Sequence, residues 1–433
     1  MNVLILGSGG RENAFAELLS RSTSAPKLYI GPGNGGSDVY AERVELNLAD
    51  PSGIAAACKQ HGIHLVLIGP EQPLVEGLVD YLNVHLPELM VIGPTASAAR
   101  LEGSKAFSKV LMQKYGIPTA RYRSFTRGQL LEALEYVAAH PLPVVIKADG
   151  LAAGKGVIIS ENTAEALETT RSILEQARFG EAGQQVVIEE FLKGIELSVF
   201  ILTDGQNFVL LPEAKDYKRV ADGDQGPNTG GMGAVSPVPF FNEELREKVE
   251  RKIIRPTLEA LQSEGIFYSG FIFFGLMKVN QEPYVIEYNC RMGDPETEAV
   301  LPRIDSDFME LLLACAEQRL GDHAELKLAE KKALTVIVAA KGYPDAPEKG
   351  KKIVFTQPAG AETLVFHAGT RKEPDGSYIS SGGRVLAITS LADDLEAAAE
   401  SSYQYINTIT FEGATYRKDI GQDIINYIRK AEH

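Results

Sequence analysis

Val145-Ile146-Lys147-Ala148-Asp149-Gly150-Leu151-Ala152-Ala153-Gly154-Lys155-Gly156-Val157 is the stretch that decides the fold. Apolar runs at Val144–Lys147 and Val157–Ile159 flank a loop of small residues, Gly150–Gly156. Strand, glycine-rich loop, strand is the order of a hairpin, not of a strand–turn–helix unit. A Walker A loop is excluded, because GxxxxGK[ST] needs Ser or Thr where Gly156 stands. Small residues let such a hairpin close over a polyphosphate and donate backbone N–H groups. Lys147, on the strand before the loop, is placed to reach a phosphate oxygen. The plain alternative is a solvated loop with two ordinary lysines.

Downstream, Val187-Ile188-Glu189-Glu190-Phe191-Leu192-Lys193-Gly194-Ile195-Glu196 is an apolar strand ending in acids. A purine ring can lie in such a hinge on backbone N–H and C=O, with Glu196 accepting from ribose hydroxyls; solvated acids are the competing reading. Further on stands Val285-Ile286-Glu287-Tyr288-Asn289-Cys290-Arg291-Met292-Gly293-Asp294-Pro295-Glu296. Residues two apart on a strand share a face, so Glu287, Asn289 and Arg291 point together. Two oxygen ligands on one face suit Mg²⁺, which completes its shell with water and phosphate. Arg291 offers a planar fork to a phosphoryl oxygen. An edge strand with a wet polar face is the alternative, and the apolar run Phe271–Met277 beside it argues against that.

Upstream, the first hundred residues alternate strand and helix, which implies a parallel sheet with helices on both faces. Val3–Leu6 runs into Gly7-Ser8-Gly9-Gly10-Arg11-Glu12 before a helical stretch; Asp50-Pro51 reads as a cap and first turn; Leu65–Ile68 and Leu89–Ile92 read as buried strands. The glycine turn resembles a dinucleotide fingerprint only loosely, since Glu12 holds the third glycine position and no acid ends the strand at 28–31. What remains is a helix N-terminus whose free N–H groups suit an anion. Leu101-Glu102-Gly103-Ser104-Lys105 is expected to open a helix reaching about Tyr115. Further helices are expected over about Thr163–Gln176, 242–264, 306–320 and Leu391–Asn407. Residues 204–236 read as a long functional loop region. Strands at Leu334–Ala340, Lys351–Phe355, Thr363–Ala368 and Arg384–Ser390 make the last hundred residues strand-rich.

The composition excludes several classes. Lys plus Arg number 43 and Asp plus Glu 58 in 433 residues, a formal charge of −15. Generic nucleic-acid and anionic-membrane binders want the opposite excess. Three separated cysteines, Cys58, Cys290 and Cys315, offer neither a disulfide framework nor a CxxC knuckle, so a reducing cytoplasm is expected. No apolar run approaches a membrane helix, and the first is too short for a signal peptide.

Lys105, Lys147, the glycine loop, the Glu189–Glu196 hinge and the Glu287-x-Asn289-x-Arg291 strand resemble the ATP-grasp superfamily. Within it, Gly9-Gly10-Arg11-Glu12, Leu101-Glu102-Gly103-Ser104-Lys105, Asn228-Thr229-Gly230-Gly231-Met232-Gly233, Arg291-Met292-Gly293-Asp294-Pro295-Glu296 and Ser381-Gly382-Gly383-Arg384-Val385 resemble the glycinamide ribonucleotide synthetase (phosphoribosylamine–glycine ligase) family. The resemblance runs from Met1 to about Gly421. Two stretches depart from the family pattern: Asn13 replaces the usual His, and Lys215-Asp216-Tyr217-Lys218-Arg219 replaces Gln-Asp-His-Lys-Arg, differing at 215 and 217. Many ATP-grasp enzymes also carry a metal-binding acid one strand before Glu287, and counting back lands near Gly275.

The resemblance implies an α/β protein with an N-terminal Rossmann-like, pre-ATP-grasp parallel-sheet domain (1–103), a central ATP-grasp domain (104–328, with a small mobile lobe about 122–194) and a small strand-rich α+β C-terminal domain (329–433). It implies ligation of glycine to 5-phosphoribosylamine through glycyl phosphate, with ATP as co-substrate and Mg²⁺ or Mn²⁺ as metal. The expected state is a cytoplasmic monomer acting on small molecules, with no nucleic-acid or membrane partner. Lys105, Lys147, Ala152, Ala153, Gly154, Lys155, Gly156, Glu189, Glu190, Leu192 and Glu196 are implied to bind ATP, and Glu287 and Asn289 the metal. Arg291, Lys147 and Asp294 are the implied catalytic set. Gly9, Gly10, Pro70, Glu71, Asp216, Gly230, Gly231, Met232, Arg291, Asp294, Pro295, Glu296 and Arg384 are implied to receive the other substrates. The rivals are another ATP-grasp carboxylate–amine ligase and a non-catalytic nucleotide-binding protein of this fold.

Overall fold

The structure, a computed structural model, describes residues 1–24, 26–152, 156–175, 183–322 and 326–431. Strands β1 (Asn2–Gly7), β2 (Lys27–Pro32), β3 (Glu42–Arg43), β4 (Leu65–Ile68) and β5 (Met90–Ile92) form a parallel sheet in the order β3-β2-β1-β4-β5. The chain doubles back at β1, so a crevice opens beyond its C-terminal end. There Gly7–Gly10 turns into α1 (Gly10–Ser20). Alternate β1 residues serve two cores: Val3 and Ile5 join Phe15 and Leu19, whereas Leu4 and Leu6 join Ile54 of α2 (Pro51–Gln60). Asp50 caps α2 by accepting from the Gly53 N–H at 3.0 Å, as the sequence predicts. Helices α3 (Glu71–Val75), α4 (Leu78–His85) and α5 (Ala96–Gly103) follow. Here one expectation is corrected. Leu101–Gly103 close α5 instead of opening the next helix. Extended Ser104 breaks the run and caps α6 (Lys105–Lys114), its hydroxyl accepting from the Phe107 N–H at 3.1 Å.

Strands β6 (Tyr122–Thr126), β7 (Val144–Ala148), β8 (Val157–Ser160) and β9 (Gln185–Glu190) form an antiparallel sheet in the order β6-β9-β7-β8, packed on α7 (Leu130–Ala139) and α8 (Thr163–Leu174). β7 and β8 are the two arms of the predicted hairpin. Gln176, the expected end of α8, lies outside the described residues. Next comes β10 (Ile195–Thr203). The expected loop region 204–236 is partly regular, holding β11 (Phe208–Leu210), β12 (Lys215–Asp216), β13 (Arg219–Ala221), β14 (Gln225–Asn228) and β15 (Gly233–Ser236). The expected helix over 242–264 is α9 (Glu243–Val249), a π-turn and α10 (Arg255–Ser263). Strands β16 (Gly270–Val279) and β17 (Glu282–Asn289) complete a sheet ordered β11-β10-β16-β17. α11 (Glu296–Val300) and α12 (Phe308–Ala316) follow, the latter shorter than expected because the chain turns at Gln318, whose φ is 56°.

The last part contains β18 (Lys332–Ala340), β19 (Lys352–Phe355), β20 (Thr363–His367), β21 (Thr370–Lys372), β22 (Tyr378–Ser380), β23 (Arg384–Ala392), α13 (Leu395–Ile406), β24 (Ile409–Thr410), β25 (Ala414–Thr415) and α14 (Gln422–Ala431). The helix expected from Leu391 starts later, because Leu391 and Ala392 still pair with β18 and Asp394 is its cap. β15 pairs with β18, joining this sheet to the preceding segment.

Two contacts draw these parts toward the β1 crevice. Phe15 of α1 packs on Phe271 and Phe308 with ring centroids 5.6 and 6.2 Å apart, contacts worth about 0.5–1.5 kcal/mol each beyond area burial. Asn13, one of the departures from the resemblance noted above, accepts from the His367 N–H at 2.9 Å.

Candidate active site

A cleft of about 460 Å³ opens where α1, α3, α6, β7, β17 and α11 converge, and it is lined by Lys105, Lys147, Glu287, Asn289, Arg291 and Glu296 among others. A second hollow of about 480 Å³ adjoins it, sharing Lys147, Glu189, Asp216, Lys218 and Glu287. Its walls include Val145, Val157, Leu192, Met277 and Ile286. A slot walled by these apolar side chains suits an aromatic base.

Lys105 and Lys147 converge as the sequence suggests. Lys105 Nζ donates to Gly150 O at 2.9 Å, at the base of the hairpin loop, and Lys147 Nζ donates to Ile286 O at 3.0 Å. Burial, reinforced by neighbouring Lys147, lowers the Lys105 pKa against the pull of Glu287. Ala152 and Gly156 line the cleft, whereas Ala153, Gly154 and Lys155 lie outside the described residues.

The hinge differs from expectation. Glu189 is not a rim acid but a buried one, 3.0 Å from both Lys109 Nζ and Lys147 Nζ. Glu190 is taken by Arg121, with Nε donating at 2.8 Å. Glu196 is already held by Lys218, so a ribose hydroxyl would have to share it. Leu192 lines the apolar slot.

Glu287 and Asn289 point into the same cleft. Burial would raise the Glu287 pKa, but Lys218, Lys147 and Lys105 outweigh it and hold the carboxyl below its ordinary value. Among the described residues its carboxylate accepts no hydrogen bond, and the Asn289 Nδ2 is buried without a partner. The ionised Glu287 carboxylate and the Asn289 Oδ1 are the oxygen donors a hard cation takes, whereas the unpartnered Nδ2 is a donor and suits an anion oxygen beside it. Gly275 pairs directly with Glu287 across the sheet. The position that would carry a further acid therefore carries no side chain. Among the described residues no three acids, histidines or cysteines form a metal cage.

Arg291 is fixed by two acids: Nη2 donates to Glu102 at 2.9 Å and Nε to Glu71 at 3.3 Å. Asp294 Oδ1 lies 3.0 Å from Arg384 Nη1, which also donates to Gly230 O at 2.7 Å. Arg384 thus brings β23 to the cleft. Burial, and then the charge of Asp216, push Glu296 up to about 7. Burial likewise raises Asp216. Gly231 and Pro295 pack on each other behind the cleft, and Met232 is buried in the core.

The glycine turn also needs correction. Its amides are not all free, because the Gly9 N–H donates to Glu12 Oε2 at 2.6 Å. The same carboxylate fills the space above Gly7 and Gly69, where a Cβ would collide with it. That close approach, rather than an open anion cradle, accounts for those two glycines; Gly7 also has φ +136°. Gly10 packs on Glu298, whose two oxygens are buried without partners and whose pKa burial and Asp294 push well up. Pro70 and Glu71 stand across the crevice.

Four side chains at or beside the cleft were given no role from the sequence: Lys109, Lys218, Glu102 and Glu298. Glu102 and Lys218 stand inside motifs quoted above, and Lys109 lies four residues after Lys105 on one helix face; Glu298 carried no local signal.

Comparisons with known proteins match the chain along nearly its whole length. The profile of the phosphoribosylglycinamide synthetase N domain matches residues 1–102, that of the ATP-grasp (A) domain 103–297 and that of the C domain 333–423. A phosphoribosylamine–glycine ligase of Ralstonia nicotianae is 44% identical over 426 residues, covering 98% of this chain and 100% of the relative. The solved phosphoribosylamine–glycine ligase of Thermotoga maritima is 36% identical, with a TM-score of 0.84 over 97% of this chain and 100% of that one. The biotin carboxylase domain of Hydrogenobacter thermophilus 2-oxoglutarate carboxylase, solved with MgADP and bicarbonate, shares the fold at 17% identity and a TM-score of 0.74, over 96% of this chain and 91% of that one.

Proposed function

The chain belongs to the phosphoribosylglycinamide synthetase family, and from that membership we propose how it joins glycine to 5-phosphoribosylamine with ATP, releasing glycinamide ribonucleotide, ADP and phosphate in purine biosynthesis. The observation that carries the reading is the convergence of Lys105, Lys147, Glu287, Asn289, Arg291 and Glu296 on one cleft beside an apolar slot.

The adenine lies in the slot against Leu192, Met277 and Ile286, with Glu196 and Lys218 at its mouth. Lys105 and Lys147 take the phosphates, beside Gly150, Leu151, Ala152 and Gly156 at the two described ends of the hairpin loop. Glu287 and Asn289 hold Mg²⁺ or Mn²⁺, which neutralises phosphate charge when bound. The glycine ammonium rests on Glu296 and Asp216, which places its carboxylate toward the γ-phosphate. A carboxylate oxygen attacks phosphorus and ADP leaves, giving glycyl phosphate. Arg291, locked by Glu71 and Glu102, stabilises the transferring group. The amine of phosphoribosylamine, its sugar phosphate in the crevice near Gly10, Pro70 and Glu71, then attacks the acyl carbon and phosphate leaves. Asp294, oriented by Arg384, accepts the proton the amine loses. No step needs a nucleophilic side chain. Positioning accounts for most of the rate, since orienting reactants is worth roughly 7–11 kcal/mol.

The proposed setting is the cytoplasm and the proposed state a monomer; three buried, unpaired thiols suit a reducing compartment. The test is ADP release with glycine, with and without freshly generated phosphoribosylamine. Sustained release needs both. Turnover with other amines but not phosphoribosylamine, or ATP binding without turnover, refutes the reading.

A further inference from the structure

Lys105 and Lys109 occupy one face of α6, four residues apart. Lys105 reaches the hairpin loop; Lys109 does not. Its Nζ donates to Thr119 Oγ1 at 2.7 Å and lies 3.0 Å from Glu189 Oε2. The Thr119 hydroxyl in turn donates to Val285 O at 2.7 Å, on the strand that carries Glu287 and Asn289. The other Glu189 oxygen lies 3.0 Å from Lys147 Nζ, outside hydrogen-bond alignment. The side chains of Lys109, Glu189 and Lys147 are only 2, 3 and 4% exposed. One buried carboxylate is therefore divided between two ammonium groups. Both lysines line the phosphate cleft and both are tied to β17, Lys147 directly through Ile286 O at 3.0 Å and Lys109 through the Thr119 hydroxyl.

We propose that Lys109 is a positioning residue for the ATP-dependent step: by engaging one oxygen of Glu189 and tying it through Thr119 to β17, it keeps Lys147 available to the nucleotide phosphates. This rests on the reading of the cleft as an ATP site. Without the Lys109 charge, the whole attraction of Glu189 falls on Lys147. Buried charge pairs are little screened by salt, so Lys147 is drawn back from the phosphates and ATP binds less well. The segment that carries Thr119 is held to β17 by its own backbone, the Val285 N–H donating to Pro118 O at 2.8 Å, so the Thr119 hydroxyl is a fixed anchor for Lys109.

The groups facing Lys109 are Glu189 and Glu190 from β9, Lys147 from β7, the Tyr122 ring of β6 at 5.6 Å and the Thr119 hydroxyl. Burial lowers the Lys109 pKa to about 8, against the opposing pull of Glu189. The arrangement is therefore charged at neutral pH and relaxes in mildly alkaline solution. Arginine at this position stays charged throughout.

The experiment measures KM for ATP, kcat and the Kd of a non-hydrolysable ATP analogue for the full chain, Lys109→Met and Lys109→Arg across neutral and alkaline pH. In the parent enzyme KM for ATP is expected to be constant at neutral pH and to climb as Lys109, lowered by burial to about 8, loses its charge. Lys109→Met raises KM for ATP at neutral pH about tenfold, changes kcat less than about threefold, and lacks the alkaline rise. Lys109→Arg keeps KM within about threefold of the parent and also lacks the rise. A Met variant whose KM stays within about twofold of the parent overturns the proposal, as does an Arg variant that keeps the alkaline rise. If the Met variant fails to fold, the Arg profile decides alone. The analogue Kd separates the two levels of inference. Absence of glycine-dependent ADP release in the parent chain sinks the ligase reading, yet the Kd series still judges Lys109.

Discussion

Replacing Arg291 by methionine keeps the stem and removes the one cation that Glu102 and Glu71 share. Glu102 is the more demanding partner. It accepts from Arg291 Nη2 at 2.9 Å, from the Cys290 N–H at 2.8 Å and from Cys290 Sγ at 3.2 Å. Breaking a buried pair by deleting one partner costs about 3–5 kcal/mol. Burial already pushes Glu102 upward, so without Arg291 it takes a proton instead of standing as a lone charge, and the loss falls at the low end, about 3 kcal/mol. Glu71, with 32% of its side chain exposed, adds at most about 1 kcal/mol. On the chemistry, loss of one placed donor to developing charge lowers kcat roughly 10²–10³-fold. Lysine restores the charge but cannot span both acids, so Arg291→Lys falls between parent and Met variant in both respects. Urea denaturation and saturating ADP-release rates, measured on the same three proteins, check the ranking. A Met variant with kcat within about threefold of the parent removes the guanidinium from the transferring phosphoryl group. Unchanged stability would show that the Glu102 pair contributes nothing.

His367, between Asn13 and Asn34, is held by burial at about 4, below its ordinary 6.5. Its folded pKa is depressed, so its stability contribution is complete above 6.5 and lost as pH falls toward 4: over that window the unfolded chain binds a proton the folded one refuses. The loss is at most about 3 kcal/mol, and His367→Gln should flatten that part of the stability–pH curve; parallel curves would contradict it. Glu287→Gln removes the ionised metal ligand and should raise the Mg²⁺ concentration for half-maximal ADP release at least about tenfold; an unchanged Mg²⁺ titration excludes Glu287 from the metal site. Glu296 titrates at about 7, so KM for glycine should rise as pH drops through that value, and Glu296→Gln should give a high, pH-independent KM. A flat profile in the parent enzyme means that the ammonium rests elsewhere.

The parts of this molecule legible in sequence are those whose signal is local. Alternating apolar runs marked the N-terminal strands, Asp50-Pro51 marked a cap, and two apolar arms around Gly150–Gly156 marked the hairpin. Glu287, Asn289 and Arg291 could be set on one face by strand period alone, whereas Lys147, on another strand, joined them only through the resemblance. What was illegible depends on distant partners. Glu12 looks like an ordinary first-turn acid until β1 and β4 bring Gly7 and Gly69 over it. Glu189 reads as a rim acid because nothing near it announces Lys109 from another element. Glu102 meets Cys290 across 188 positions. Helix boundaries failed for a related reason: Leu391 and Ala392 are as apolar as a helix face, and only pairing with β18 commits them to a strand. α14, short and polar on one side, finds its place through Ile424 and Ile425 in the main core.

The most direct measurement uses glycine labelled with ¹⁸O in its carboxylate. Activation by ATP moves one carboxylate oxygen into the leaving phosphate. With phosphoribosylamine present, the chain should release phosphate carrying one ¹⁸O for each ADP formed. Glycinamide ribonucleotide formed together with unlabelled phosphate would contradict attack of the glycine carboxylate on ATP.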